Sequence, residues 1–406
     1  MNSMIVSRRS PMPTQDNAIK VLSPIKSVGA SNQQHARWIG GYDLLPEVPM
    51  MCPTERTNTL VDCSDPHIIA ERIFHCLQKL SITATFNDAS LRAETIDHTL
   101  FYIRMYKCST QNNRQIMVEV QRSSGESFNY MKYAKVILSS ANGEDDFAKD
   151  TEVKKRSSSA SLSYIPGSIT CHQDTSSSCK NEATLEYVKE LIQKDRVDAR
   201  QLGLNSLLLL TDSERSLVSE TAAKAVLSED ESGDTTIKDF IYKLIDSLSP
   251  NKASSARQVD NFEQREQEIM HNTALAVLGN ALESALEHSN MSQLIESKEW
   301  LGSSGIVDAL LSELSLAQCH LHDAYQAARC ISALLESSCE IRQVLLNRNV
   351  AVILKDAQAI GLSKHSLLAA ECKEALTTLI SGQENVEPSC DQSCDVAYSL
   401  FSWPCY

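Results

Sequence analysis

Cys319-His320-Leu321-His322-Asp323 gathers four side chains of metal-ligating type within five residues. Zinc accepts thiolate, imidazole and carboxylate donors, but neighbours on one loop rarely converge on a tetrahedral centre unless a second pair arrives from elsewhere. No second pair is legible, and Cys390 and Cys394 lack one too. Asp323 has a simpler use as the N-cap carboxylate of the helix that follows. The expectation is no metal and no cofactor. The chain also lacks a glycine-rich phosphate loop, a His-Glu-x-x-His pair and a nucleophile elbow. No catalytic residue is nominated and the chain reads as a non-enzyme; an enzyme without a legible motif is the least favoured of three readings.

A second chemistry is modification. Lys154-Lys155-Arg156 stands directly before Ser157-Ser158-Ser159, a substrate pattern for kinases with acidic clefts. One phosphate adds about −1.5 to −2 charge and would cancel most of that basic patch, so the stretch reads as a charge switch. Arg8-Arg9-Ser10-Pro11 and Leu22-Ser23-Pro24 are weaker matches.

The elements around these motifs fall into two halves. From 182 to 382 the apolar residues recur at helical spacing. Leu368, Cys372, Ala375 and Leu379 share one face of a helix over 365–380, as do Ala327, Ile331 and Leu334 in another, and Ala274, Leu278, Ala281 and Ala285 in a third. A fourth helix begins at Ala199. Ala333 and Ala375 lie 42 residues apart, within the roughly 40–47-residue period of armadillo and HEAT repeats, and EIRQVLLNRN and VAVILKDAQAIGL supply two further stripes between them. This half resembles the armadillo/HEAT type of helical repeat, whose buried helix often carries Ala-x-x-Ala-Leu-x-Asn-Leu. Ala274, Val277, Leu278 and Asn280 fit most of that motif; Ala199, Leu202 and Asn205 fit less, because Gly203 stands where Leu is expected. The last two copies lack the Asn, and Ala199 and Ala274 are 75 residues apart, so the early spacing is irregular. The resemblance implies an all-α superhelix that binds a protein partner, with Asn205 and Asn280 in the groove holding an extended backbone.

Residues 61–142 read as a small α+β domain. Asp65-Pro66 opens a helix with Ile69, Ile73, Cys76, Leu77 and Leu80 on one face; Ile82–Phe86, LFYIRMYK and IMVEVQR read as strands; a closing helix over 127–139 turns Phe128, Met131 and Ile137 or Leu138 inward. The run Val118-Glu-Val-Gln-Arg-Ser-Ser-Gly-Glu-Ser-Phe128 resembles the kinase-associated C-terminal domain, although no kinase catalytic sequence precedes it. That resemblance implies binding of acidic phospholipid or intramolecular docking. From Leu100 to Leu138, Arg104, Lys107, Arg114, Arg122, Lys132 and Lys135 face two glutamates, a basic balance that suits an anionic membrane surface.

Composition frames both halves. Of the net charge of −14, residues 1–180 hold 20 basic and 18 acidic side chains, and residues 181–406 hold 18 and 34. An acidic repeat surface disfavours nucleic acid and favours a basic extended protein segment. Thirteen scattered cysteines, no secretory leader pattern and no long apolar run read as reduced thiols in a cytoplasmic or nuclear protein, with no transmembrane segment. Residues 1–60 read as disordered, with a small apolar cluster at Trp38, Tyr42, Leu44 and Leu45; 143–181 as a Ser-rich linker; 383–406 as a tail. The favoured reading is an adaptor or scaffold; the alternative is a peripheral membrane or lipid-regulated protein led by the small domain.

Overall fold

Asp65 and Pro66 open the first helix as their types dictate: Pro66 takes the first helical position, and the Asp65 carboxylate accepts a hydrogen bond from the His67 amide at 2.9 Å. The computed structural model describes residues 41–48, 57–86, 90–110, 113–144, 177–228, 236–247, 261–288, 295 and 305–384. Ser157, Ser158, Ser159, their basic run, both Ser-Pro sites, Trp38 and the C-terminal aromatics lie outside those residues.

Helix α1 (Pro66–Lys79) and helix α2 (Ser127–Asn142) pack on a five-stranded antiparallel sheet. Its strands are β1 (Asn58–Val61), β2 (Thr83–Phe86), β3 (Ser90–Glu94), β4 (Leu100–Thr110) and β5 (Asn113–Ser124), in the order β1-β5-β4-β3-β2. The alternation read in β4 and β5 is real: Phe101, Ile103, Ile116, Val118 and Val120 are fully buried. Strands β1 and β3 carry too few residues to signal themselves, and β1 begins inside the stretch read as disordered. Partners fix them, with Asn58 opposite Glu119 and Leu91 opposite Ile103. Residues 41–48 also have a place. Leu45 is buried, and the Pro46 carbonyl accepts from the Lys107 amide at 2.8 Å where β4 runs beyond β3.

The inward face of α2 differs from the expected one. Phe128 and Met131 are exposed, while Tyr130, Ala134, Ile137, Leu138 and Ala141 turn inward. Two bonds set this rotation: Asn129 donates to Asp97 at 2.6 Å, and the Tyr130 hydroxyl donates to the Val120 carbonyl at 2.5 Å. Gly125 adopts φ +94°, and a Cβ there would stand 2.6 Å from Thr99 Cα; only glycine lets this turn approach the β3–β4 turn.

The described residues beyond 176 are mostly helical: α3 (Ser177–Ile192), α4 (Val197–Thr211), α5 (Ser219–Leu227), α6 (Ile237–Ser247), α7 (Asn261–Glu287), α8 (Ile306–Ser315), α9 (Leu321–Ser337), α10 (Cys339–Asn347), α11 (Val350–Lys364) and α12 (Ser366–Glu384). Helices α4, α7, α9 and α12 pack successively, forming a ladder; α3 backs α4, α5 and α6 back α7, α8 backs α9, and α11 backs α12. The three stripes expected from the sequence in α7, α9 and α12 are at most 4% exposed. Their alanines let helix axes approach closely, and each buried Leu or Ile contributes about 1.5–3 kcal/mol relative to exposure. Gly203 has its reason here: a Cβ would stand 2.8 Å from Ile192 Cγ2, so the leucine of the repeat pattern has no room between α3 and α4.

The N-terminal ends of α7, α9 and α12 abut the sheet region. Arg265 of α7 reaches both oxygens of Glu94, at 3.2 and 3.4 Å. Burial opposes ionisation of Glu94, but the hydrogen bond from His98 and the charges of Arg265 and His98 outweigh it and hold the carboxyl down to about 2. Next to this pair runs a histidine relay. The Leu368 amide donates to His365 Nδ1 at 3.1 Å, which places the proton on His365 Nε2. That proton is donated to His322 Nδ1 at 3.1 Å, and His322 Nε2–H donates to the Glu94 carbonyl at 3.1 Å. Burial holds both imidazoles neutral, with His365 well below the usual histidine value and further lowered by His322.

Candidate functional site in the groove of the helix ladder

The same packing leaves a groove. A cleft of about 790 Å³ opens between the sheet region and helices α4 and α7, floored by Ile96, Leu100, Leu208, Ile269 and Ala276. It joins a recess of about 310 Å³, because Asp212, Asn280 and Arg329 line both. The recess wall carries Glu214, Glu283, Glu287, Glu336, Glu371 and Glu374. These come from the segment after α4 and from α7, α9 and α12. Helical spacing aligns them: Glu283 and Glu287 are four apart, Arg329 and Glu336 seven, Glu371 and Glu374 three. Asp212 is held by Arg215 at 3.2 Å.

Between cleft and recess, Arg329 is 1% exposed. Its guanidinium donates to both Glu283 oxygens at 2.8 and 3.2 Å, to Gln326 at 2.8 Å and to Asn280 at 2.9 Å. Burial disfavours its charge, but Glu283 outweighs burial and raises the Arg329 pKa. Gly279 faces the guanidinium, where a Cβ would meet it in ordinary van der Waals contact at 3.4 Å. The Asn280 amide in turn donates to the Leu208 carbonyl and Thr211 Oγ1, both at 3.4 Å, joining α4, α7 and α9.

Asn205 is exposed on the cleft wall. Asn280 also lines the groove, yet its amide already serves Arg329 and α4, so it is half-buried and engaged. The structure does not bring the six basic residues of the sheet region together. Arg104 sits on the outer sheet face beside Glu119 and Gln121. Lys107 pairs with Glu47 at 3.6 Å, and Arg114 lies over the Tyr42 ring. Arg122 donates to the Gly125 carbonyl at 2.8 Å, and Lys132 and Lys135 are exposed on α2. Of the four ligand-type side chains around His320, only His320 and Asp323 stay near each other, 3.8 Å apart. Cys319 is exposed, and His322 turns to the sheet region. His320, not Asp323, is the N-cap; Asp323 lies in the first turn of α9.

Sequence reasoning missed Arg329, Gln326 and Glu283. The only available signal was a charged residue beside an alanine stripe, opposite a glycine in mid-helix. Thiol chemistry finds no support in the core: burial pushes Cys76, Cys330 and Cys372 up to about 12, which keeps them protonated and weakly nucleophilic. No family model and no curated protein matches this chain. Among the described residues, no helix is long and apolar enough to cross a membrane.

Proposed function

We propose that this protein is a non-enzymatic adaptor whose armadillo-like helix ladder holds a basic, extended segment of a protein partner in the acidic groove. The observation that carries this reading is the convergence of six glutamates, from three ladder helices and the segment after α4, on one recess continuous with an apolar cleft. Extended basic chains suit such a surface. Lysine and arginine stems cover the apolar floor while their charges meet the carboxylates. Asn205 is the amide free to take the partner's backbone. In this reading the ladder continues as a right-handed superhelix, and the sheet region, clamped to the ends of α7, α9 and α12, fixes one wall of the groove.

Fluorescence anisotropy with a labelled Lys/Arg-rich peptide tests it. Binding should weaken with salt, and an acidic peptide of the same length should not bind. Replacing the exposed Glu214, Glu287 and Glu336 with Gln should weaken binding at least about tenfold, with circular dichroism unchanged. Equal binding by the wild type and the triple variant would reject the groove.

A further inference from the structure

A histidine and a second carboxylate do face Asp323, and they come from two other helices. His271 of α7, Glu313 of α8 and Asp323 of α9 place one donor atom each within 4.8 Å of the others. His271 is 2% and Glu313 3% exposed. We propose that this cluster binds a divalent cation of the zinc class, tying α7, α8 and α9 together behind the groove wall.

Second-sphere bonds already orient the donors. His271 Nδ1 lies 3.0 Å from the Leu244 carbonyl on α6 and donates to it, which in the neutral ring leaves the Nε2 lone pair for a ligand. This is the outer bond that metal-ligating histidines make. Asn272 donates to Asp323 Oδ1 at 2.8 Å and fixes that carboxylate. His271 Nε2 and Glu313 Oε1 are 3.4 Å apart, longer than the ~2.7–2.9 Å of a charge-assisted N–H···O bond. A tetrahedron with metal–ligand bonds of ~2.0–2.1 Å has an edge of about 3.4 Å. His320 Nδ1 lies 3.8 Å from Asp323 Oδ2 and is half-exposed, and it does not converge with the other donors, so the fourth position falls to water.

Charge points the same way. A neutral histidine and two carboxylates leave two negative charges at the core, which a divalent cation balances. A histidinium would balance one. Cation and proton compete for the His271 Nε2 lone pair. Among the described residues no other His, Cys, Asp and Glu group converges this closely.

The test uses the full chain, dialysed against chelator and titrated with Zn²⁺ and then with Co²⁺. We expect one equivalent of Zn²⁺ per chain, weakening as pH falls, and visible d–d bands of four-coordinate Co²⁺ without a thiolate charge-transfer band. Asp323→Asn, half-buried and isosteric, should fold and weaken Zn²⁺ binding by at least about tenfold, the loss that even an outer-shell partner gives; Glu313→Gln should act likewise. A thiolate band would move the metal to the cysteines and overturn the site. So would Zn²⁺ uptake that Asp323→Asn leaves unchanged, or no uptake at millimolar Zn²⁺.

Discussion

The stretch Leu100–Leu138 of the sheet region and the helix ladder each carry a surplus of one sign of charge, and they dispose of it in opposite ways. In β4 and β5 side chains alternate faces, so Arg104 falls on the outer face while Lys107 and Arg114 fall on the other, at the hairpin end. Arg114 and Arg122 share β5 but stand eight residues, about 26 Å, apart. Each basic group then finds a local partner: Glu47, Gln121, a tyrosine ring or a carbonyl. In the ladder, spacings of three, four and seven keep carboxylates on one helix face, and successive helices bring those faces side by side. A balance of charge along a sequence therefore says little about a surface until the period of each element decides which charges meet.

Removing Arg329, buried among the ladder carboxylates, should have the largest effect. Arg329→Met strands Glu283, Gln326 and Asn280 and should cost about 3 kcal/mol, read by urea denaturation; a loss below about 1 kcal/mol would mean the network is not structural. Next comes the close approach of α3 and α4. Gly203→Ala forces Ile192 and Leu191 apart and should cost about 1–3 kcal/mol, with the groove unaffected. The joint between the regions should show in pH. His322 and His365 have lowered values, so their contribution is full above the ordinary value of about 6.5 and is lost as pH falls below it, by at most about 1.4 kcal/mol per pH unit for each. His271 is raised, so its contribution is full below about 6.5 and is lost as pH rises through its folded value. His365→Asn should flatten the acid limb of a stability–pH curve; an unaltered limb would place that loss elsewhere. The smallest effect belongs to the dispersed set: Arg114→Gln should change stability by less than about 0.5 kcal/mol.

The ladder was legible because its stripes are local. Leu368, Cys372, Ala375 and Leu379 declare a buried face within twelve residues, and the structure buries all four. The alternation of β4 and β5 and the start of α1 were legible for the same reason. What escaped depends on partners far along the chain. Strand β1 exists because β5 accepts it. The face of α2 is set by Asp97 and Val120. Arg329 meets Glu283 across 46 positions, a pairing with no local trace. Asp323 was visible as a chemical group, but its neighbours His271 and Glu313 sit on other helices. The motif marked Asn280 as a groove residue, whereas its engagement by Arg329 and α4 has no local trace in the sequence.

Hydrogen–deuterium exchange of the full chain, with and without a saturating Lys/Arg-rich peptide, tests the central claim most directly. Protection is expected on α7 around 280–287, on α9 around 329–336 and on α12 around 371–374, with β4 and β5 unchanged. Protection confined to the sheet region, or none on the three ladder helices while the peptide is bound, would contradict it.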